Sequence, residues 1–296
     1  MCYARRMAES PIELLLDARA ERVGSFAVAR VLPSRRRRAV GPFVFLDHMG
    51  PAAIEPGQGA DVRPHPHIGL ATVTYLFEGS VVHRDSVGSL QTIVPGDVNW
   101  MTAGRGVTHS ERSDEATRAQ GGRMHGLQAW VALPRAHEEA EPSFVHHAAA
   151  TLPTATRPGV GLRVIAGHAY GLRAPVEVLS PLGYVDVRLE AGAELPLLDE
   201  HAERAVYVVE GALGVGSDTV ARGQLAAFAT GAACTLRAGA EGARLVVLAG
   251  APLDGPRHMW WNFVSSSPER LERAKQDWAE GRFPPVVGDP DSPTAA

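Results

Sequence analysis

The sequence predicts an all-β protein made of two copies of one β fold and ending in a short helix. Three observations carry this prediction. Across residues 25–248 the chain is a succession of short apolar runs broken by Gly, Pro and Asp, the spacing of sandwiches and barrels. The phrase Thr74-Tyr75-Leu76-Phe77-Glu78-Gly79 returns as Tyr207-Val208-Val209-Glu210-Gly211, and each copy precedes a Gly-led strand, at Gly96-Asp97-Val98 and Gly223-Gln224-Leu225. That is a weak internal repeat with a period near half the chain. Helical periodicity is nearly absent until the C-terminal end.

In chain order, the strands are expected at 43–46, 70–77, 89–94, 127–133, 184–189, 204–209, 223–228 and 243–248. Residues 134–161 are rich in Ala, Pro, Glu, His and Thr and lack apolar periodicity, which marks a junction between units 1–140 and 141–296. The one convincing helix follows. Ser266 or Ser267 caps it, Pro268 sits in its first turn, and Ser266 with Glu269 fits a capping box. Leu271, Ala274 and Trp278 share a face, and Gly281 stops it. The aromatic run Trp260-Trp261-Asn262-Phe263 is expected to pack this tail on a barrel.

Bulk properties narrow the function classes. A chain of 296 residues has room for two domains, each with a core. A hydrophobic content of 45% with 21% charged residues is globular, and a formal charge of −4 gives no reason to expect direct nucleic-acid binding. Lys275 is the only lysine, which reads as genome bias. Cys2 and Cys234 cannot make a disulfide framework. The segment MCYARRMAES lacks an apolar h-region, and no apolar run is long enough for a membrane span. These features point to a cytoplasmic protein, with Met1 or Met7 as its start.

The chemistry is concentrated in two short motifs. His65-Pro66-His67 and His109-Ser110-Glu111 each place metal-capable side chains at i and i+2, and residues two apart in a strand share a face. Neighbouring strands would therefore aim three imidazoles and one carboxylate at one point. Such a set suits Fe, Ni, Cu, Zn or Mn and disfavours Ca and Mg. In an octahedral ion it leaves two positions open, and the residual positive charge favours an anionic chelating ligand. A purely structural zinc prefers a closed tetrahedral set, often with cysteine, so an open, reactive site is expected.

With these motifs, 65–79 (HPHIGLATVTYLFEG), 83–89 (HRDSVGS), 95–112 (PGDVNWMTAGRGVTHSER) and 260–283 resemble the pirin family of the cupin superfamily, as does the run from Phe43 to His48. The resemblance implies a bicupin, two jelly-roll β-barrel domains. It implies one mononuclear metal held by His65, His67, His109 and Glu111 in the N-terminal barrel. Fe(II) is the metal it favours, with Zn, Ni, Cu, Mn and Co as alternatives. In the general cupin pattern a glutamate follows the H-x-H pair; here Thr72 stands near that position and Val107 near that of the second-motif histidine. The second barrel has His201, Glu203 and Cys234 at the comparable places, an incomplete set that reads as structural.

Other residues are weaker candidates. Trp100, Met101, Met124, His125 and Gln128 either line the substrate pocket or belong to the core. His83 and Asp85 suit a turn or a hydrogen bond. The arginine run 35–38 reads as a solvated loop. His137, His146, His147, His168 and His258 show no partners in sequence. The resemblance implies a quercetin 2,3-dioxygenase-like activity on a flavonol or a similar chelating aromatic or enolic substrate, with dioxygen as co-substrate. Glu111 is then the candidate general base. It also implies an alternative, a non-enzymatic redox sensor that contacts a transcription factor or enzyme through its metal state. A zinc-filled, catalytically silent relic is the third reading.

Overall fold

A computed structural model describes residues 10–291; Cys2, Met1 and Met7 lie outside the described residues. The chain folds into two antiparallel barrels, as expected. The first combines two sheets. One has seven strands in the order Ser143–His147, Val98–Thr102, Leu70–Glu78, Gly122–Ala132, Phe43–Ile54, Phe26–Leu32 and Arg19–Val23. The other has four, in the order Val62–His67, Val107–Arg112, Val81–Asp85 and Leu90–Ile93. The second barrel is a ten-stranded sheet whose main path runs Ile12–Asp17, Gln224–Phe228, Glu203–Val215, Thr235–Gly250, Leu182–Leu189, Val160–Ala169 and Thr154–Arg157.

Two strands cross the expected division at 140/141. Ile12–Asp17 pairs with Gln224–Phe228 of the second barrel, and Ser143–His147 pairs with Val98–Thr102 of the first. Each barrel thus takes a strand from the other's stretch of sequence. Pairings of this range carry no local signal, because a strand's periodicity names its faces and not its neighbour.

The repeat is a repeat of register. Tyr75 pairs with Val98 and Leu127, and Leu127 with His48. Tyr207 pairs with Leu225 and Val246, and Val246 with Asp186. The glycines that close the two phrases have the same cause. Gly79 and Gly211 have φ of 83° and 72°, and a Cβ at either would come within 2.2 Å of a backbone oxygen, of Arg123 or Gly242.

The large sheets pack face to face. Tyr75, Trp100 and Leu127 share one apolar cluster with Tyr184, Tyr207 and Val246, so the two barrels have a common core. Polar bonds also cross it. Tyr75 donates to Asp186 at 2.9 Å, and Tyr207 bonds His48 Nδ1 at 2.9 Å. Asp186 is held in turn by Arg244, at 3.0 and 2.6 Å, while His48 meets His125 at 2.9 Å.

The C-terminal helix spans Pro268–Ala279 and is capped by Ser267, whose Oγ accepts from Arg270 N. Glu269 bonds Ser267 rather than completing a box with Ser266. Leu271, Ala274 and Trp278 are buried, and they pack with Phe263 and Phe283 against Ile68, next to the metal-ligand strand. A second helix, Glu115–Gln120, has no buried residue and so no apolar periodicity by which to foresee it. Among the described residues, no helix is long and apolar enough to cross a membrane.

Candidate metal centre

The strands Val62–His67 and Val107–Arg112 are antiparallel neighbours, with His65 directly opposite His109 and His67 opposite Val107. Alternation puts all three imidazoles on one face, and one ligand atom from each lies within 4.8 Å of the others. His67 Nε2 and His109 Nε2 are 3.1 Å apart. Each ring is anchored through its other nitrogen. His65 Nδ1 meets Arg63 O at 2.8 Å, His67 Nδ1 meets Asn262 O at 3.1 Å, and His109 Nδ1 meets His83 Nδ1 at 3.4 Å. A carbonyl only accepts, so Nδ1 of His65 and of His67 carries the proton and Nε2 keeps its lone pair.

Burial favours the neutral rings. Desolvation lowers the His65 pKa to about 4 against the hydrogen bond to the Arg63 carbonyl, which raises it. It drives His67 and His109 well below the usual histidine range, with each further depressed by neighbouring imidazoles. Three neutral, pre-oriented imidazoles converging through Nε2 form a donor set that fits a divalent transition metal.

Glu111 follows His109 on the same strand, but the register shifts between the two, and Glu111 pairs with Val62. Its carboxylate lies outside the three-histidine group and accepts from Thr74 Oγ1 at 3.1 Å. Desolvation raises its pKa, partly offset by His83 and by the Thr74 hydrogen bond. The expected fourth ligand is therefore placed here as a desolvated carboxylate beside the imidazoles.

A cleft of about 960 Å³ opens over His65, His67 and Glu111. Its walls include Phe45, Met49, Trp130, Met259 and Trp261. One side carries Arg30, which grips Asp47 through two bonds of 2.7 and 2.8 Å and lies 4.4 Å over the Phe45 ring. Of the residues expected to line a pocket, Gln128 reaches this cleft, bonded to Thr74 at 2.9 Å. Trp100, Met101 and Met124 do not. Trp100 packs into the shared inter-barrel core, and Met101 and Met124 fill separate buried clusters. Their strands are largely buried on both faces, so hydrophobicity could not say which face meets the cleft. His125 lies instead at the barrel junction with His48.

Sequence reasoning missed Thr74, Trp130 and Asn262. Trp130 had a usable signal, since it stands two residues beyond Gln128 on one strand and so on the same face. Asn262 acts through its backbone carbonyl, which residue type does not reveal. His83 and Asp85 do form a hydrogen bond, of 2.9 Å. His146, left without a partner in sequence, meets Asn99 at 2.8 Å.

The second barrel assembles no comparable group. Among the described residues His65, His67 and His109 are the one such cluster. His201 Nε2 donates to His168 O at 2.9 Å, while Glu203 turns away to accept from Gly41 N at 2.7 Å. Burial raises the Cys234 thiol pKa. In the arginine run, Arg37 bridges Glu13 and Glu203 at 3.2 and 3.5 Å.

Comparison with known proteins agrees with the two-barrel fold. Residues 25–131 match the family model Pirin, and residues 184–284 match Pirin C-terminal cupin domain. A pirin-like protein of Caulobacter vibrioides is 53% identical over 92% of this chain and 94% of its own length. The crystal structure of quercetin 2,3-dioxygenase from Acinetobacter baumannii superposes with a TM-score of 0.88 at 31% identity, covering 96% of this chain and 94% of that one. A bacterial pirin from Escherichia coli, solved in complex with nickel(II), shares the fold with a TM-score of 0.63 at 18% identity, covering 81% and 99%.

Proposed function

The chain belongs to the pirin family, and from that premise we propose that it is a metal-dependent dioxygenase acting on a flavonol such as quercetin or on a similar chelating aromatic or enolic compound. The observation that carries the reading is the convergence of the imidazoles of His65, His67 and His109 next to an aromatic-walled cleft that His65, His67 and Glu111 line. In this reading His65, His67 and His109 hold one divalent ion, Fe(II) first among the candidates. A bound ion supplies a Lewis-acidic centre with open positions for substrate oxygens.

The chain's own residues do the rest. Trp130 and Trp261 offer flat apolar surface to a planar aromatic and exclude water from its reacting edge. Glu111, its basicity raised by desolvation, takes the proton of the substrate hydroxyl, and Thr74 steadies the carboxylate meanwhile. The flavonol is the reductant: both atoms of dioxygen enter the product, the central ring opens, and one ring carbon leaves as carbon monoxide. Iron-loaded protein incubated with quercetin should consume flavonol and dioxygen in equal amounts. Intact flavonol absorbance with no oxygen uptake would exclude the reaction.

One observation favours the regulatory alternative. The hairpin that carries His83 and Asp85 exposes Val87, Leu90 and Val94, at 45%, 65% and 45%, and its first strand is the neighbour of the strand that carries His109. An oxidation-dependent partner captured on that hairpin, in the absence of quercetin turnover, would support it.

A further inference from the structure

We infer that Asp85 and His83 are positioning residues that set the tautomer of His109, and so decide whether its Nε2 is free to hold a metal. The inference rests on the metal-binding part of the reading above and not on the identity of the substrate.

The three imidazoles are anchored unequally. His65 and His67 each lean on a backbone carbonyl, which accepts whatever the state of the protein around it. His109 Nδ1 instead faces another imidazole nitrogen, Nδ1 of His83. That nitrogen accepts a hydrogen bond only when the His83 proton sits on Nε2. Asp85 enforces this arrangement, because its Oδ2 lies 2.9 Å from His83 Nε2 and needs a donor there. The order of protons is thus fixed outward from the carboxylate: His83 Nε2–H to Asp85, His109 Nδ1–H to His83, and a lone pair on His109 Nε2.

The surroundings hold this chain rigid. Asp85 is fully buried and His83 is 3% exposed. The His83 ring stacks on Phe144 at 4.3 Å and 17°. Asp85 Oδ1 accepts from Val87 N at 3.0 Å and from Ser89 N at 2.9 Å, so the two carboxylate oxygens have different duties. On the strand ladder Asp85 is the direct partner of His109, which places the carboxylate two hydrogen bonds behind the metal ligand.

That division of duties makes Asp85→Asn a sharp test. The two backbone N–H groups keep the amide oxygen on their side, so the new NH2 faces His83 Nε2. His83 must then carry its proton on Nδ1, and His109 must move its own to Nε2, the atom a metal needs. Zn(II) affinity by competition with a chelator should fall roughly ten- to hundredfold in Asp85→Asn and in His83→Leu. His83→Gln, which can present an oxygen acceptor to His109, should recover most of the loss. The Co(II)-loaded variants should show altered visible spectra, while the melting temperature of metal-free His83→Gln stays near that of the parent.

In Zn(II)-loaded parent protein, nitrogen NMR should find His83 Nδ1 without a proton. Parental Zn(II) affinity in Asp85→Asn, or a protonated His83 Nδ1 in the loaded parent, would overturn the inference. Failure of the parent to take up Zn(II) would defeat it together with the metal site, whereas absent quercetin turnover bears on the proposed reaction alone.

Discussion

Tyr75 of the first barrel donates its hydroxyl proton to Asp186 of the second, 2.9 Å away. The register-equivalent Tyr207 reaches back to His48 at the same distance. Asp186 and His48 occupy corresponding positions in their sheets, so the barrels are latched by one interaction used twice in opposite senses. Only the Asp186 side is charged, and Arg244 neutralises it. Tyr75→Phe leaves that ion pair in place and removes the hydroxyl's hydrogen bond to Asp186 together with the longer one it accepts from Arg163, which should cost about 1–2 kcal/mol. Urea denaturation should show a lower midpoint with little change in slope.

His48 makes the latch sensitive to acid. Burial, with help from His125 and Arg222, lowers its pKa from 6.5 to about 3. Between those values the unfolded chain binds a proton that the folded chain refuses, so stability rises with pH in this window. The contribution is fully present above about pH 6.5 and is lost progressively as pH falls towards 3. Thermal melts of metal-free protein between pH 7.5 and 4.5 should therefore decline less steeply in His48→Gln than in the parent. Equal slopes would mean that His48 does not refuse its proton.

Metal content should follow the histidines. His67→Ala or His109→Ala should abolish high-affinity loading, and elemental analysis should then find close to no bound ion per chain. Loading of the parent should weaken as pH falls, because all three rings must be neutral to ligate. A metal content independent of pH would argue for other ligands.

Glu111→Gln separates holding from reacting. Its side chain stays bonded near Thr74 and outside the three-histidine group, so metal content should stay close to the parent's. Turnover of quercetin should drop about 10²-fold or more if the carboxylate is the base. Unchanged kcat would remove Glu111 from that role.

How far the sequence could be read depended on whether a signal was local. The pairs His65/His67 and His109/Glu111 announced a shared face through period two, and the Tyr75 and Tyr207 phrases announced a duplicated strand because turn glycines recur with them. The helix at Pro268 declared its own cap and buried stripe. Trp100 and Met101 were illegible as core residues because both faces of their strand are buried, one against the second barrel and one inside the first. The precise station of Glu111 turns on a register shift opposite Val62, which no residue type encodes. Asn262 serves His67 through its backbone, and a backbone contact is silent in composition.

The strand Ile12–Asp17 is the first described strand of the chain, yet its partner is Gln224–Phe228. During synthesis it must therefore wait while most of the polypeptide is made, its hydrogen-bonding edge unsatisfied. A ribosome that stops early releases a product with that edge still open, and the finished first barrel cannot cover it. The second barrel can therefore draw this strand in from solvent only once the chain extends past Phe228.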